Sequence, residues 1–211
     1  AAQSAGKLPI DVNNSNIDLL SISAHKMYGP KGIGALFIKK NLQKEILPLI
    51  DGGGQESNIR GGTLPTHLIA GFGKACSLSK ELLKQESLKI SALSNKMKNI
   101  FNLNFKHYKI NGDIKKRLPG NINICFSGLD TKKLIMSVPN IAFSLGSACT
   151  SSSTRPSHVL LGMGLNKIEA ASSIRLSIGR FNTIDEVLIA GKILSSAIKK
   201  LREAINKINH E

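Results

Sequence analysis

An uninterrupted helical pattern occupies the middle of the chain, over about residues 66–103, and no proline interrupts it. Its apolar side chains recur three or four residues apart, the spacing of a single buried helix face. The apolar residues at this spacing are Leu68, Ile69, Phe72, Ala75, Cys76, Leu82, Leu83, Leu88, Ile90 and Leu93. We therefore expect one long helix that links the elements before it to those after it.

The segment before this helix contains two predicted strands, over residues 17–23 and 33–38. A loop rich in glycine and proline separates them, which predicts a hairpin-like return. A second glycine-rich loop covers residues 51–65. Two strands and one helix cannot form a doubly wound sheet by themselves, so the first half does not close into a complete fold.

The segment after the long helix alternates short strands with helices, which is typical of an α+β domain. Its predicted strands cover residues 108–110, 121–126, 140–144 and 173–178. Its predicted helices cover residues 131–138, 156–161 and 183–208. Thr183 is the predicted N-cap of the last helix, and Glu186 completes a capping box. We place the domain boundary between residues 1–85 and residues 86–211.

Composition excludes several classes of protein. Of the 211 residues, 41% are hydrophobic, which excludes a disordered chain, and no apolar run is long enough to cross a membrane. The net charge of +15 raises nucleic-acid binding as one hypothesis. The lysines are dispersed and aromatic residues make up only 4%, so a solvated lysine-rich surface is favoured. Three scattered cysteines without a CxxC pair indicate neither a disulfide framework nor a zinc site, and favour a reducing compartment.

The most suggestive lysine is Lys26, which stands where the first predicted strand ends and its loop begins. Loops at strand ends commonly hold reactive groups, and a lysine there can form a Schiff base. Ser23 and His25, beside it, could bind an anionic phosphate. The alternative interpretation is a solvated loop lysine.

Cys149 is the best candidate nucleophile among the three cysteines. Small, flexible residues flank it in Gly146-Ser-Ala-Cys-Thr-Ser151, which predicts an exposed or poorly ordered loop. Cys125 lies in an apolar run, and Cys76 lies on the apolar face of the long helix. We expect Cys76 and Cys125 to be buried and structural.

Arg175 stands between Ile174 and Leu176 on a predicted strand, so it faces the opposite side from two apolar neighbours. An arginine in this setting requires an anionic partner, either a buried Asp or Glu or the carboxylate of a substrate. The Gly-Gly-Thr sequence ending at Thr63 could offer backbone N–H groups and a hydroxyl to phosphate. Together these groups fit a pyridoxal phosphate enzyme that processes an amino acid and accepts its sulfur.

The chain resembles the C-terminal half of the group I (NifS/IscS-like) cysteine desulfurases, members of the class-V aminotransferase family. The matching stretches are Ser23-Ala-His-Lys-Met-Tyr-Gly-Pro-Lys-Gly-Ile-Gly-Ala-Leu-Phe37, Gly52-Gly-Gly-Gln-Glu56, Arg60-Gly-Gly-Thr-Leu-Pro65, Ser144-Leu-Gly-Ser-Ala-Cys-Thr-Ser151 and Ser173-Ile-Arg-Leu-Ser-Ile-Gly-Arg-Phe181. The resemblance covers essentially the whole chain. It implies an α/β fold: part of the large domain of a fold-type I, aminotransferase-like pyridoxal phosphate enzyme, followed by a small α+β domain.

The resemblance implies pyridoxal 5′-phosphate as the cofactor. Lys26 resembles the family's Schiff-base lysine, and Ser23 and His25 resemble its phosphate ligands. Thr63 resembles the threonine that reaches the phosphate held by the neighbouring subunit of a homodimer. Gln3 resembles the glutamine near the phenolic oxygen of the cofactor.

The implied reaction removes sulfur from L-cysteine and gives L-alanine and an enzyme-bound persulfide. Cys149 resembles the persulfide-forming nucleophile, and Arg175 resembles the residue that binds the substrate carboxylate. The expected partners are a homodimer mate and a sulfur acceptor or iron–sulfur scaffold protein, with neither nucleic acid nor membrane. The expected location is the bacterial cytoplasm or the mitochondrial matrix. The alternative is a non-catalytic remnant or interaction module of a split desulfurase.

Some of the family's cofactor ligands have no counterpart in these 211 residues. The aspartate that pairs with the pyridine nitrogen stands three residues before the glutamine that Gln3 matches, so its place falls before Ala1. The family's N-terminal half supplies a glycine-rich phosphate loop, a histidine stacked on the ring and an asparagine. We therefore expect an incomplete large-domain sheet, an exposed apolar face near residues 17–38, and weak cofactor binding by this chain alone.

Overall fold

The computed structural model describes residues 1–145 and 156–208, with side chains described as far as residue 204. The chain divides into two compact units, Ala1–Ser87 and Leu88–Glu211. The long helix, Thr66–Asn104, contributes residues to both units. Within the described ranges, no helix is long and apolar enough to cross a membrane.

The first unit contains an antiparallel hairpin of two strands, β1 (Leu19–Ser23) and β2 (Gly34–Ile38). The register pairs Leu19 with Ile38 and Ser23 with Gly34. The other elements of the unit are two 3₁₀-helices (Ala24–Met27 and Lys40–Glu45), the helical turn α1 (Gln55–Asn58) and the start of α2 (Thr66–Asn104). The hairpin and the long helix are therefore formed as the sequence predicts.

The core of the first unit is small and covers the hairpin only in part. Ala5, Ala24, Met27 and Phe72 form its buried cluster. On the hairpin, Leu19 is 49% exposed and Leu36 is 52% exposed. In the part of the unit that the structure describes, no further strand extends the two-stranded sheet. The expected incomplete sheet with an exposed apolar face near residues 17–38 is confirmed.

The second unit has a three-stranded antiparallel sheet in the order β3-β4-β5. Its strands are β3 (Lys109–Ile110), β4 (Asn121–Cys125) and β5 (Ser173–Ser177). Its helices are α3 (Thr131–Ser137), α4 (His158–Gly162), α5 (Lys167–Ala171) and α6 (Ile184–Ile208), besides the second half of α2. This arrangement is the predicted α+β domain.

The core of the second unit is larger, because α2, α3, α6 and the sheet all contribute apolar side chains to it. Phe101 of α2 and Phe126, just after β4, are both fully buried, with ring centroids 5.6 Å apart in an edge-to-face arrangement. Phe105 meets Phe126 at 5.1 Å. Leu194 and Ile198 of α6 are also fully buried. The face of each helix that carries these residues fixes its position on the sheet.

The predicted strand over residues 140–144 is wrong. Only Ser144 pairs there, with Arg175, through N–H···O bonds of 3.1 and 2.7 Å that run in both directions. Pro139 and Asn140 form a turn directly after α3, and the Ile141 N–H bonds to the Val138 carbonyl at 3.0 Å. The backbone is bent at the position where a strand would have to begin.

Cys76 is also placed differently from the prediction, since it is exposed rather than buried. In this part of α2 the buried residues are Phe72, Ala75 and Ser79, a stripe one residue wide. Cys76 lies about 100° further round the helix than Ala75, at the edge of that stripe. The core of the first unit is small, so it buries only part of the apolar face of α2. Cys125 is buried, as predicted.

Candidate functional site

Lys26 is presented to solvent by the 3₁₀-helix that follows β1. In a 3₁₀-helix residues three apart share a face, so Ala24 and Met27 are both buried while His25 and Lys26 are exposed. The Ala24 carbonyl closes the turn by accepting the N–H of Tyr28 and, at 2.9 Å, that of Gly29. The buried residues thus fix the turn, and the lysine stands free at the end of the strand.

Ser23 and His25 lie directly beside this lysine and interact with each other. The Ser23 hydroxyl and His25 Nδ1 share a hydrogen bond of 2.9 Å. Ser23 keeps extended backbone angles, with φ −119° and ψ 121°, so its side chain belongs to the end of β1. A hydroxyl and an imidazole held together in this way offer a hydrogen-bond donor to an anionic oxygen.

A turn at the start of the described chain packs against the same elements. Ala5 is buried in the cluster that contains Ala24 and Met27, and the backbone nitrogen of Ala1 donates to the Ser21 carbonyl at 2.7 Å. On this turn the Lys7 ammonium donates to Gln3 Oε1 at 3.0 Å. Burial and the positive charge of Lys26, in that order, lower the pKa of Lys7.

Thr63 is exposed at the end of the second glycine-rich loop. The Arg60 guanidinium donates to the Gly62 carbonyl and, at 3.4 Å, to the Thr63 carbonyl, which shapes this loop. A Cβ added to Gly52 would lie 2.6 Å from the Cα of Gly61, so the two loop backbones pack directly against each other. Thr63 thus stands on a tightly packed loop with its side chain accessible.

Arg175 lies in the second unit, on β5, opposite Asn123 of β4. Ile174 and Leu176 are buried on the other face of the strand, as the alternation predicts. Arg175 is half-buried, and its Nε is buried without a hydrogen-bond partner. Within the described ranges, no carboxylate forms an ion pair with it. A structural Asp or Glu partner, one of the two alternatives, is therefore not found there.

The Arg175 side chain lines a cavity of about 400 Å³ that Arg117 and Asp113 also line. The Arg117 guanidinium is occupied by backbone carbonyls, those of Asn111, Asp113 (2.8 Å) and Asn121 (3.3 Å). The Asp113 carboxylate accepts the backbone N–H groups of Lys115 and Lys116, and these hydrogen bonds lower its pKa. Arg175 differs from Arg117 in that its Nε is buried without a hydrogen-bond partner.

A family model for aminotransferase class-V proteins matches residues 1–189. The chain belongs to the class-V aminotransferase family. Among curated relatives of this class-V chain, the cysteine desulfurase IscS of Rickettsia bellii is 46% identical over 202 residues, or 96% of this chain and 49% of the relative. The mitochondrial cysteine desulfurase of Arthroderma benhamiae is 46% identical over 203 residues, or 96% of this chain and 40% of that protein.

Solved structures agree with this family on the fold. The NifS-like protein of Rickettsia africae has a TM-score of 0.81 at 30% identity, with 96% of this chain and 52% of that chain covered. A second NifS-like protein has a TM-score of 0.83 at 29% identity, with 95% of this chain and 52% of that chain covered. The class-V chain therefore spans about half the length of the relatives that it matches.

For two of the three cysteines of the class-V chain, the surroundings raise the pKa of the thiol. Cys125 is buried, its Sγ donates to the Glu169 carbonyl at 3.4 Å, and burial raises its pKa. Partial burial of the thiol also raises the pKa of Cys76. Neither is therefore a suitable nucleophile. The predicted nucleophile, Cys149, lies outside the described residues.

Within the first unit, then, the class-V chain brings one group of predicted site residues together. Ser23, His25 and Lys26 lie within four consecutive positions, and Lys7, which donates to Gln3, interacts with the positive charge of Lys26. Sequence reasoning missed Lys7. The signal was present, because Gln3 and Lys7 are four residues apart, the spacing at which side chains on a helical turn meet.

Proposed function

We propose that this chain carries reactive residues of a cysteine desulfurase, which takes sulfur from L-cysteine, releases L-alanine and holds the sulfur as a persulfide on Cys149. The observation that carries the proposal is the exposed Lys26 amine on its turn beside the hydrogen-bonded Ser23 and His25. Proteins named cysteine desulfurase share 46% identity with it over 96% of its length, which supports the same assignment.

The groups in the first unit suit pyridoxal 5′-phosphate as the cofactor. Lys26 would hold its carbonyl carbon, and Ser23 and His25 would donate to its phosphate. Neither Lys26 nor Lys7 has a carboxylate ion-pair partner within the described ranges, so both amines are available to an anionic ligand. Bound there, the cofactor supplies an electron sink for the carbanion that forms at the substrate's Cα.

Residues of the chain itself carry out the other steps of the reaction. The Arg175 guanidinium, which has no carboxylate partner within the described ranges, suits bidentate binding of the substrate carboxylate. The Lys26 amine takes the proton from Cα as general base. The Cys149 thiolate attacks the substrate sulfur, the carbon–sulfur bond breaks, and the sulfur stays on Cys149. Protonation of the three-carbon product at Cβ, and return of the proton from the Lys26 amine to Cα, then give alanine.

We propose that residues 1–85 form part of the cofactor-binding domain and residues 86–211 the small domain that carries the cysteine loop. Thr63 would reach the phosphate in a homodimer mate, and the persulfide would pass to a sulfur acceptor or iron–sulfur scaffold protein. The relatives include bacterial and mitochondrial proteins, which supports a cytoplasmic or mitochondrial-matrix location. The competing hypothesis is a non-catalytic interaction module.

Alanine production from L-cysteine, with excess pyridoxal 5′-phosphate and reductant, tests this function. The 211 residues contain no counterpart of the family's aspartate or phosphate loop, and each missing charge-assisted contact weakens cofactor binding by roughly 1.5–3 kcal/mol. We therefore expect little alanine from the chain alone and restored turnover when a matching N-terminal half is added.

The controls for this assay are single substitutions in the same chain. Lys26→Ala and Cys149→Ser should each abolish the restored turnover, whereas Lys31→Ala, which removes an exposed lysine nearby, should not. An assembled protein that makes no alanine would favour the interaction module. Robust turnover by the chain alone would show that the missing contacts are dispensable.

A further inference from the structure

The hydrogen bond between Lys7 and Gln3 fixes which end of the Gln3 amide faces away from Lys7. Lys7 Nζ lies 3.0 Å from Gln3 Oε1. A protonated lysine has three N–H donors and no acceptor, so only the amide oxygen can face it. The Gln3 Nε2, with its two N–H donors, must then point elsewhere, and Gln3 is exposed.

The turn that carries both residues is anchored beside Lys26. The Ala5 N–H bonds to the Ala1 carbonyl at 3.0 Å, and Ala5 packs in the buried cluster with Ala24 and Met27. Gly6 has φ +72°, and a Cβ there would lie 3.0 Å from that of Met27, so the turn approaches the Lys26 helix closely. This packing holds Lys7 near enough to Lys26 for the two charges to interact.

The positive charges of Lys7 and Lys26 favour a negatively charged partner for the N–H donors of Gln3. Lys7 is half-buried, and the neighbouring positive charge of Lys26 opposes its own protonation. Among the ion pairs of the described residues, none joins either amine to a carboxylate. Two amines without a counter-ion and an amide with free donors together favour an anionic oxygen on a bound ligand.

We propose that Lys7 is a positioning residue, which turns the Gln3 amide so that its Nε2 donates to the phenolic oxygen of the cofactor held at Lys26. This proposal rests on the proposed function. Without Lys7, the Gln3 amide is free to rotate and to present its oxygen, which would repel the phenolate. Lys7 therefore acts through Gln3 and need not touch the cofactor.

The first test needs no cofactor and follows the Gln3 side-chain amide by ¹⁵N NMR relaxation in the free chain. Lys7→Met should leave this NH₂ group mobile, whereas Lys7→Arg, which keeps a charged donor, should hold it as the wild type does. Lys40→Met, which removes an exposed lysine of the same unit, is the matched control. Equal mobility in the wild type and Lys7→Met would overturn the proposal.

The second test measures the affinity of the chain for pyridoxal 5′-phosphate from the absorbance of the Lys26-bound form. We expect Lys7→Met to weaken binding about tenfold, the usual effect of one lost hydrogen bond to a charged group, and Lys7→Arg to restore most of it. Lys7→Met should add nothing to the effect of Gln3→Ala, because the two residues act as one unit. With the 3-O-methyl ether of the cofactor, the loss in Lys7→Met should disappear.

The outcomes separate this proposal from the function on which it rests. If the wild-type chain does not hold the cofactor at Lys26 even when a matching N-terminal half is added, the proposed function and the role of Lys7 both fall. If the wild type binds and Lys7→Met binds equally well, only the role of Lys7 falls. Fully additive losses in the double variant would also overturn it, because they would show that Lys7 acts independently of Gln3.

Discussion

At the scale of single residues, the chemistry of the first unit depends on two amines held close together. Lys7 is half-buried beside the Lys26 turn, and Lys26 itself is exposed. Burial and the charge of Lys26 both oppose protonation of Lys7, so its pKa is lowered. This charge interaction exists only when the unit is folded, because it depends on the packing of Ala5 against Ala24 and Met27.

The charge interaction predicts how Lys7 titrates when its neighbour is removed. In Lys26→Ala the pKa of Lys7 should rise, because one of the two causes that disfavour the ammonium is gone, but burial should keep it below the ordinary value. The ε-methylene ¹³C resonance of Lys7, followed across the alkaline range, measures this shift. Lys31→Ala is the matched control, and a Lys7 pKa that is the same in both variants would contradict the account.

Single-residue predictions from the sequence succeeded where one local rule decides the outcome. Arg175 lies opposite the buried faces of Ile174 and Leu176, because strand alternation requires it. The prediction that Cys76 is buried was wrong, because its burial depends on how large a core the first unit forms around α2. Lys7 was missed although its spacing from Gln3 was visible, because its interaction with Lys26 joins two separate segments, and no local pattern encodes that interaction.

At the scale of elements, local signals at helix ends are formed as the sequence predicts. The N–H of Glu186 bonds to Thr183 Oγ1 at 3.2 Å, and the Thr183 N–H bonds to Glu186 Oε2 at 3.0 Å, which completes the capping box before α6. Its backbone and side-chain partners lower the pKa of Glu186. The cap matters because α6 contributes Leu194 and Ile198 to the core of the second unit.

Removal of this cap should destabilise the second unit. Thr183→Ala deletes the hydroxyl that accepts the Glu186 N–H, so we expect the free energy of unfolding to fall by about 1 kcal/mol. Urea unfolding followed by the amide NMR signals of α6 measures the loss. Ser196→Ala, an exposed serine on the same helix, should not destabilise the unit. Equal stability of Thr183→Ala and the wild type would show that the cap contributes nothing.

Long, strongly periodic elements were predictable, and short elements defined by distant partners were not. The helix predicted over residues 66–103 is observed as Thr66–Asn104, because its period is maintained over many turns. The strand predicted over residues 140–144 is absent, because a turn after α3 bends the chain there. The five-residue helix α5 escaped prediction because a capping box between Asn166 and Glu169, rather than an apolar period, defines it.

At the scale of the whole molecule, the two units differ in how completely they cover their own apolar surface. The second unit buries one large cluster between its helices and its sheet. The first leaves a two-stranded hairpin with half-exposed Leu19 and Leu36. The chain spans about half the length of its relatives, so the exposed hairpin is consistent with a sheet that has further strands in those proteins.

The most direct measurement of the central claim is the position at which pyridoxal 5′-phosphate attaches to this chain. The chain, saturated with the cofactor, is reduced with borohydride, and the modified peptides are mapped by mass spectrometry. We predict that the reduced adduct is concentrated on Lys26, is lost in Lys26→Ala and is kept in Lys31→Ala. An adduct spread evenly over the exposed lysines, or left unchanged by Lys26→Ala, would contradict the assignment of Lys26 as the cofactor-binding amine.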